Sequence, residues 1–389
     1  MQPPPRLLTT PFLLAVLATF GVFASIGMLL PVLPLYAKEP LDVGGVGIGL
    51  AVAAASPTAL LFQPVAGRLG DVRGRRLLVV AGPLLMAASI AAYAPVDTFW
   101  ALVALRLVTG IGEALAFVGV ATVINDLAPE ERRGETISLY SLGVWGGLAL
   151  GPLLGEIVLG AGRYDAVWLT AAALTLGSAL VGLLLPETRP AVVGERPRAR
   201  LVHPAAVAPG LVLVASAFGF AGFNAFVALY ARELGLDGAG TVFLVYSGIV
   251  VGLRIVARRI PDRLGPKRAS ALALGLLAAG LATMGVWSEP AGLYAGAAVF
   301  AAGTALAFPS LMLLALAGAP ASERGSVVGT FGAFFDVGFA LGAVTLGAVA
   351  SVTGYDGVFV AAAAISLTSV LLLGRVPSRA AAQPATQPT

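Results

Sequence analysis

Residues 67–76 read GRLGDVRGRR, and a related stretch, RRIPDRLGPKR, occupies residues 258–268. Asp71 corresponds to Asp262 and Gly74 to Gly265, each pair being 191 residues apart along the chain. Further pairs keep this offset or come within three residues of it: Arg133-Gly134 with Arg324-Gly325, Tyr164-Asp165 with Tyr355-Asp356, and LYAKE at 35–39 with LYARE at 229–233. A chain that carries two copies of one pattern is predicted to be a duplicated fold.

The composition is that of a membrane protein. Of the 389 residues, 58% are hydrophobic and 11% are charged, and the mean hydropathy is +0.93. So few charges could not cover the surface of a soluble protein of this size. The apolar residues occur in runs of roughly 20, the length that crosses about 30 Å of hydrocarbon. The sequence therefore predicts an all-α integral membrane protein, in which duplication places a binding site between two halves.

Residue types that are missing or rare exclude several functions. Cysteine is absent and His203 is the only histidine, so disulfides and thiolate metal sites are excluded, and no metal or cofactor is expected. No phosphate-binding loop is present, so ATP is not expected to drive the protein, and no serine–histidine pairing indicates an enzyme. The net charge of +4 comes from arginines in short loops between apolar runs, which does not indicate nucleic-acid binding.

The apolar runs predict twelve transmembrane helices arranged as two six-helix bundles. The first bundle is expected within residues 1–186 and the second within residues 208–375. A cytoplasmic linker at 187–207 would join them, and a disordered tail would follow at 376–389. The first apolar run is too long for a signal-peptide core, so it is interpreted as an uncleaved span.

The distribution of Lys and Arg predicts the orientation. Placing the N-terminus in the cytoplasm assigns nineteen of the 24 Lys and Arg residues to cytoplasmic segments and three to the external side. This bias follows the positive-inside rule. We therefore expect a multi-pass protein of the inner (plasma) membrane with both termini in the cytoplasm.

Three motifs carry a resemblance to a known family. The first is the loop at 67–76, the second is RLVTGIG at 106–112, and the third is GLALGPLLG at 147–155. Over roughly residues 10–375 the chain resembles the major facilitator superfamily, and within it the twelve-span drug/proton antiporter branch. Glu156 departs from that branch, whose third motif ends in two glycines.

The resemblance implies a proton-coupled exporter of small amphipathic compounds, which works by alternating access as a monomer surrounded by membrane lipid. Its partners would be the small-molecule substrate and protons. A proton-coupled importer or a facilitator of a sugar, organic acid or other metabolite is the alternative within this class. A transport-inactive membrane sensor or scaffold is the alternative from another class, and it would show no substrate-dependent proton flux.

The loop motif is interpreted as a conformational latch made by Gly67, Asp71, Gly74, Arg75 and Asp126. Asp71 ends one helix, and its carboxylate is expected close to the start of the next helix, where free N–H groups stabilise negative charge. Gly74 permits the sharp turn between them. Arg75 is expected to pair with Asp126 at the end of the fourth span. The alternative is that the charges of this loop only set the orientation of the chain in the membrane.

Arg106 and Glu113 place two charges in hydrocarbon, each at a cost of about 2.5–3.5 kcal/mol on insertion scales. They are seven residues apart and share one face of the fourth span. The distance to the arginine and access to water would decide whether the acid is protonated, which makes the pair a candidate for proton coupling. A static pair that fixes packing is the alternative.

Asp336, among phenylalanines in the eleventh span, is a candidate for holding a proton or cation, or for a plain hydrogen bond to a neighbouring helix.

Gly147, Gly151 and Gly155 recur every fourth residue, and Pro152 bends the helix that carries them. The segment is a candidate for a tight contact between the halves that seals the substrate cavity, and ordinary small-residue packing is the alternative.

By the resemblance, spans 1, 4, 7 and 10 line the substrate cavity. The candidate cavity residues are Asn224, Thr304 and Ser25. Each of them is alternatively a residue that only packs.

Overall fold

The computed structural model describes residues 8–129, 133–188, 202–256, 263–317, 319 and 324–376. Within these residues every regular element is an α-helix. The helices are α1 (Thr10–Lys38), α2 (Gly45–Ala53), α3 (Ala55–Arg73), α4 (Arg75–Ala91), α5 (Phe99–Leu127), α6 (Arg133–Leu159), α7 (Tyr164–Leu183), α8 (Pro204–Glu233), α9 (Gly240–Val256), α10 (Pro266–Val286), α11 (Pro290–Leu316) and α12 (Arg324–Gly374). Most of the predicted linker and tail, and the part of the second charged loop that holds Asp262, lie outside the described residues.

Length and composition make most of these helices able to span a membrane. In the described part of the chain, nine stretches are long and apolar enough, and α9 is a shorter apolar helix. α2 and α3 together form one 29-residue stretch, which is interrupted at Ala54. At a rise of about 1.5 Å per residue, roughly 20 residues cross the hydrocarbon. The chain is therefore a multi-pass, all-helical membrane protein.

α12 consists of two arms rather than one continuous helix. Gly354 is non-helical, with φ at 79°, a conformation that glycine adopts without steric cost. We call the arms on its two sides α12a (residues 324–353) and α12b (residues 355–374). Leu346 of the first arm and Val358 of the second both approach Gly222 of α8, so the chain turns back at Gly354.

The two charged loops share a backbone feature at their common glycine. Gly74 separates α3 from α4, and Gly265 precedes α10. Both take the positive φ that favours glycine, at 105° and 80° respectively. The correspondence expected from the repeat is therefore matched by the backbone at this position.

The helices pack as two groups of neighbours. In α1–α7, which we call the first half, α1 packs against α6 and α7, and α5 packs against α3 and α4. In α8–α12, the second half, α12 packs against α8 and α10, and α11 packs against α9 and α10. The halves meet chiefly where α2 lies against α12 and where α6 lies against α9. The central region between the halves is bordered by these two contacts.

Glycines towards the two ends of the bundle differ in what lies beside them. We call the end where α1 begins the terminal face and the end where α1 finishes the opposite face. Near the opposite face, the backbone of Gly45 in α2 lies directly against Gly347 in α12a. Towards the terminal face, no described atom lies within 4 Å of the position that a Cβ would take at Gly67 of α3 or at Gly329 of α12a. The halves are thus in direct backbone contact at Gly45 and Gly347, and there is open space beside Gly67 and Gly329 among the described residues.

Candidate functional site

Arg106 is buried in α5, and its guanidinium reaches three acceptors. Nε donates to the Ala51 carbonyl at 3.2 Å and Nη2 donates to the Val52 carbonyl at 3.0 Å. Nη1 is 3.9 Å from Glu113 Oε1, which is ion-pair contact. The helix rise alone would separate the two residues by about 10 Å, and their long side chains close that gap.

The two carbonyls are available to Arg106 because the second span is interrupted there. α2 ends at Ala53 and α3 begins at Ala55. Pro57 has no N–H to donate to the Ala53 carbonyl, which neighbours the two that Arg106 binds, and its ring disfavours a continuous helix through this turn. The last carbonyls of a helix carry partial negative charge, which the buried guanidinium compensates. These partners of Arg106 were not predicted from the sequence, although Pro57 is the signal for the interruption.

Asp336 approaches the acid of α5 from the second half. It lies in α12a, where Gln63 Nε2 of α3 donates to its Oδ2 at 3.5 Å. The Glu113 carboxylate is close enough to act on Asp336 electrostatically. The structure therefore brings the three candidate proton-coupling residues into one region between the halves. Gln63 joins them there.

The latch residues gather where α3 passes into α4. Arg75 contacts Asp126 at the end of α5, and its Nη2 is 3.7 Å from Asp71 Oδ1. Asp71 lies in the last turn of α3. The carboxylate that caps the start of α4 belongs instead to Glu187, which accepts from the Arg75 N–H at 2.8 Å and the Arg76 N–H at 3.3 Å. Glu187 was not singled out from the sequence.

The glycines of the third motif pack inside the first half. Gly147, Gly151 and Gly155 of α6 lie directly against the backbone of α1, and Pro152 lies near Gly27 of the same helix. Small residues allow two helix backbones to approach this closely. These glycines therefore pack two helices of the first half against each other, as in the alternative of ordinary small-residue packing. They do not make the contact between the halves that the sequence suggested.

Glu156, the departure from the family pattern, makes a contact between the halves. Its carboxylate accepts hydrogen bonds from the Ala239 N–H, at 2.5 Å, and from the Gly240 N–H. These donors stand at the start of α9, where a carboxylate satisfies free N–H groups and complements the helix dipole. The repeat counterpart of Glu156 is Gly347, which packs on Gly45. A carboxylate therefore bridges one contact between the halves, whereas bare backbone closes the other.

Glu39 forms a second charged bridge at the opposite face. It follows α1 and pairs with Arg232 near the end of α8. The Tyr164 hydroxyl at the start of α7 donates to Glu39 Oε2 at 2.6 Å. Arg232 also lies within electrostatic reach of Glu156. Charged groups from both halves therefore meet where the halves are packed.

The candidate cavity residues make local contacts. Asn224 is buried and its Nδ2 donates to the Phe220 carbonyl at 2.7 Å, while Thr304 Oγ1 donates to the Phe300 carbonyl at 3.0 Å. Ser25 is fully buried in α1. Asn224 borders a cavity of about 20 Å³, which has room for about one water molecule. Among the described residues, no group of three or more His, Cys, Asp or Glu is placed to hold a metal ion.

Arg254 is a charged residue near the central region that sequence reasoning missed. It lies in the last turn of α9, with its Cζ 3.9 Å from the centroid of the Trp145 ring in α6. This is the geometry of a cation–π contact. Its Nε and Nη2 are buried and have no hydrogen-bond partner within the described part of the chain. Two features of the sequence could have identified Arg254: it is a charge within an apolar run, and it lies 191 residues after Gln63, at the repeat-related position.

A bundle of membrane-length helices whose two halves meet around a buried arginine and half-buried acids has the architecture of a secondary transporter. The chain belongs to the major facilitator superfamily, since the model of the Major Facilitator Superfamily matches residues 15–320 and 210–389. The family predicted from the three motifs is confirmed.

Relatives in bacteria align with almost the whole chain. The uncharacterized MFS-type transporter STM4428 of Salmonella typhimurium (strain LT2) is 31% identical over 370 residues, which cover 90% of this chain and 92% of that protein. The uncharacterized MFS-type transporter YhhS of Escherichia coli (strain K12) is 27% identical over 375 residues, covering 94% and 92% respectively. Both likenesses extend over the two halves.

Solved structures show the same fold at lower identity. The human organic anion transporter MFSD10 (TETRAN) superposes with a TM-score of 0.71 at 21% identity, covering 96% of this chain and all of that one (100%). The nucleoside transporter NupG superposes with a TM-score of 0.75 at 15% identity, covering 95% and 99%. These likenesses show the fold of this chain.

Proposed function

We propose that this transporter is a proton-coupled exporter of small amphipathic compounds that works by alternating access. The observation that carries the proposal is the meeting of Arg106, Glu113 and Asp336 between the halves. Charges at this depth are costly in a membrane. Here an acid–base pair of one half lies within electrostatic reach of an acid of the other half. Movement of the halves would change these distances and, with them, which acid holds a proton.

Twelve membrane crossings in two six-helix bundles are part of this proposal. Of the nine apolar stretches, Ser326–Gly374 contains two arms and counts twice. α4 and α9, with 17 residues each, add two further crossings. The bundles, residues 1–186 and 208–375, would rock about the central region and expose it to each side of the membrane in turn.

The orientation that we propose places both termini in the cytoplasm and the protein, as a monomer, in the inner membrane. The excess of Lys and Arg on that side supports it. The terminal face is then cytoplasmic, and the open space beside Gly67 and Gly329 would give the central region access to the cytoplasm. The backbone contact of Gly45 with Gly347 at the opposite face would close it to the exterior.

The latch is proposed to stabilise one of the two conformations. Arg75 and Asp126 both belong to the first half, so their pairing can persist while the halves move. The part that changes would be the contact of Gly67 and Asp71 with the start of α12a. The contacts of Arg75 with Asp126 and with Asp71 support this cluster as the fixed part of the latch.

The test of proton coupling is efflux of amphipathic fluorescent compounds of either charge from proteoliposomes, with and without an imposed pH gradient. Glu113→Gln keeps the size of the side chain and removes its titration. We expect it to abolish gradient-driven transport and to leave exchange without a gradient largely intact.

The control is Glu233→Gln, which makes the same chemical change on an exposed residue at the end of α8 and should transport like the unmodified protein. If Glu113→Gln keeps gradient-driven transport while Asp336→Asn loses it, the proton site is Asp336. If both variants keep it, proton coupling by these acids is wrong.

Uptake of a metabolite is the second candidate function. The two solved relatives described above are named for nucleosides and for organic anions, which favours considering it. The direction of flux relative to the pH gradient separates the candidates, because an importer would carry substrate and proton the same way and an exporter would exchange them.

A further inference from the structure

Arg254, which is half-buried, differs from the buried Arg106 in what it contacts. Arg106 has two carbonyl acceptors and Glu113. Arg254 has the face of Trp145, and its buried Nε and Nη2 meet no acceptor among the described residues. Buried N–H donors without an acceptor are costly, so a bound anion that accepts from both would stabilise Arg254.

The position of Arg254 is defined by the repeat. Arg254 and Trp145 are the counterparts of Gln63 and Asp336, each at an offset of 191 residues. Gln63 and Asp336 join α3 to α12a, and Arg254 and Trp145 join α9 to α6. Both pairs therefore bridge the halves at equivalent positions beside the central region. One bridge carries an acid with a neutral partner, and the other carries a base with a neutral partner.

Tyr246 lies on the same side of α9 as Arg254, about two turns earlier. Its hydroxyl is buried beside Thr304, and it lies within electrostatic reach of Arg254. Trp145 and Tyr246 also border the same cavity as Asn224. A guanidinium with two unpaired N–H groups, a tyrosine hydroxyl and an indole face thus lie along one side of the central region.

We propose that Arg254 and Trp145 form the recognition site for the transported compound, and that this compound is an aromatic or amphipathic carboxylate. The guanidinium presents a planar fork that pairs with both oxygens of a carboxylate. The indole supplies apolar surface beside that fork, and Tyr246 supplies a further donor. The inference rests on the proposed function only in placing the transported compound between the halves.

The test is equilibrium binding to the purified full-length protein in nanodiscs, measured by calorimetry without a pH gradient. The probes are naphthoate, naphthamide and naphthylmethylammonium, which share a ring system and differ in charge. We expect naphthoate to bind most tightly. Arg254→Gln, which installs the residue of the repeat-related position, should weaken naphthoate binding roughly tenfold or more. It should leave naphthamide binding unchanged, and Arg254→Lys should give an intermediate result because it keeps the charge and loses the fork.

Arg163→Gln is the matched control, because it makes the same charge change on an exposed loop at the opposite face, and it should bind naphthoate normally. Thermal unfolding shows whether each variant is folded. Naphthoate binding that is absent, no tighter than naphthamide binding, or unaffected by Arg254→Gln in a folded protein would overturn the proposal. The measurement requires no proton gradient, so its outcome is independent of the efflux test on Glu113.

Discussion

At the scale of single residues, Arg106 shows how a buried charge is tied to the backbone. Two of its nitrogens bind carbonyls at the end of α2 at 3.0 and 3.2 Å, while the third reaches Glu113 at 3.9 Å. Arg106 is therefore closer to the two backbone carbonyls than to the Glu113 carboxylate. A small shift of α2 relative to α5 would change what the Glu113 carboxylate faces.

We expect Arg106→Lys to lower the free energy of unfolding by about 1–3 kcal/mol, because one ammonium cannot serve all the acceptors of the guanidinium fork. The same variant should shift the pH dependence of substrate exchange. Thermal unfolding in detergent and a pH profile of exchange measure the two effects. Arg163→Lys is the control on an exposed loop. A variant with unchanged stability and an unchanged pH profile would show that the carbonyl contacts are unimportant.

At the scale of helices, the two contacts between the halves join them near the opposite face by different means. α2 and α12a meet through the backbone of Gly45 and Gly347, which requires glycine on both sides. α6 and α9 are bridged by Glu156, which caps the start of α9. The residue that breaks the family pattern is thus the one that joins this pair of helices.

We expect Glu156→Gly, which restores the family pattern, to open the opposite face more often. Hydrogen bonds to a charged group contribute about 1.5–3 kcal/mol, and each 1.4 kcal/mol is about a factor of ten in population. The chain has no cysteine, so a single Ala343→Cys, at a position fully buried in this conformation, reports the opening. Its labelling by an impermeant maleimide should rise about tenfold or more.

Glu233→Gln in the same Ala343→Cys background is the control for loss of a negative charge near that face, and its labelling rate should not change. An equal labelling rate in the Glu156→Gly variant would mean that the cap does not contribute to closure.

At the scale of the whole molecule, alternating access requires the contacts of the opposite face to break in each cycle. The ion pair of Glu39 with Arg232 and the cap by Glu156 both join one half to the other. Charged contacts at the end of a bundle exchange protein partners for water at modest cost. They therefore suit an interface that must form and break repeatedly.

We expect a reversible bis-methanethiosulfonate cross-link between Glu39→Cys and Arg232→Cys to stop nearly all transport, because it ties the halves together at the opposite face. Reduction should restore transport. Flux in proteoliposomes before and after reduction measures the effect.

Glu39→Cys with Tyr164→Cys is the matched control, because those side chains are in contact within the first half, so that cross-link should leave transport unchanged. Full transport by the cross-linked Glu39/Arg232 pair would contradict movement of the halves at this face.

The sequence by itself determined that the chain is a multi-pass helical membrane protein with an internal repeat, and which charges lie within its spans. Run length, hydropathy and motif spacing are local properties, so they could be evaluated without knowing which helices become neighbours. The tertiary structure alone decided that Arg106 binds the interrupted end of α2, that the glycines of α6 face α1, and that Glu156 and Arg254 reach across to the other half. Those partners depend on how helices distant in sequence pack together, and small residues in an apolar span permit many such packings.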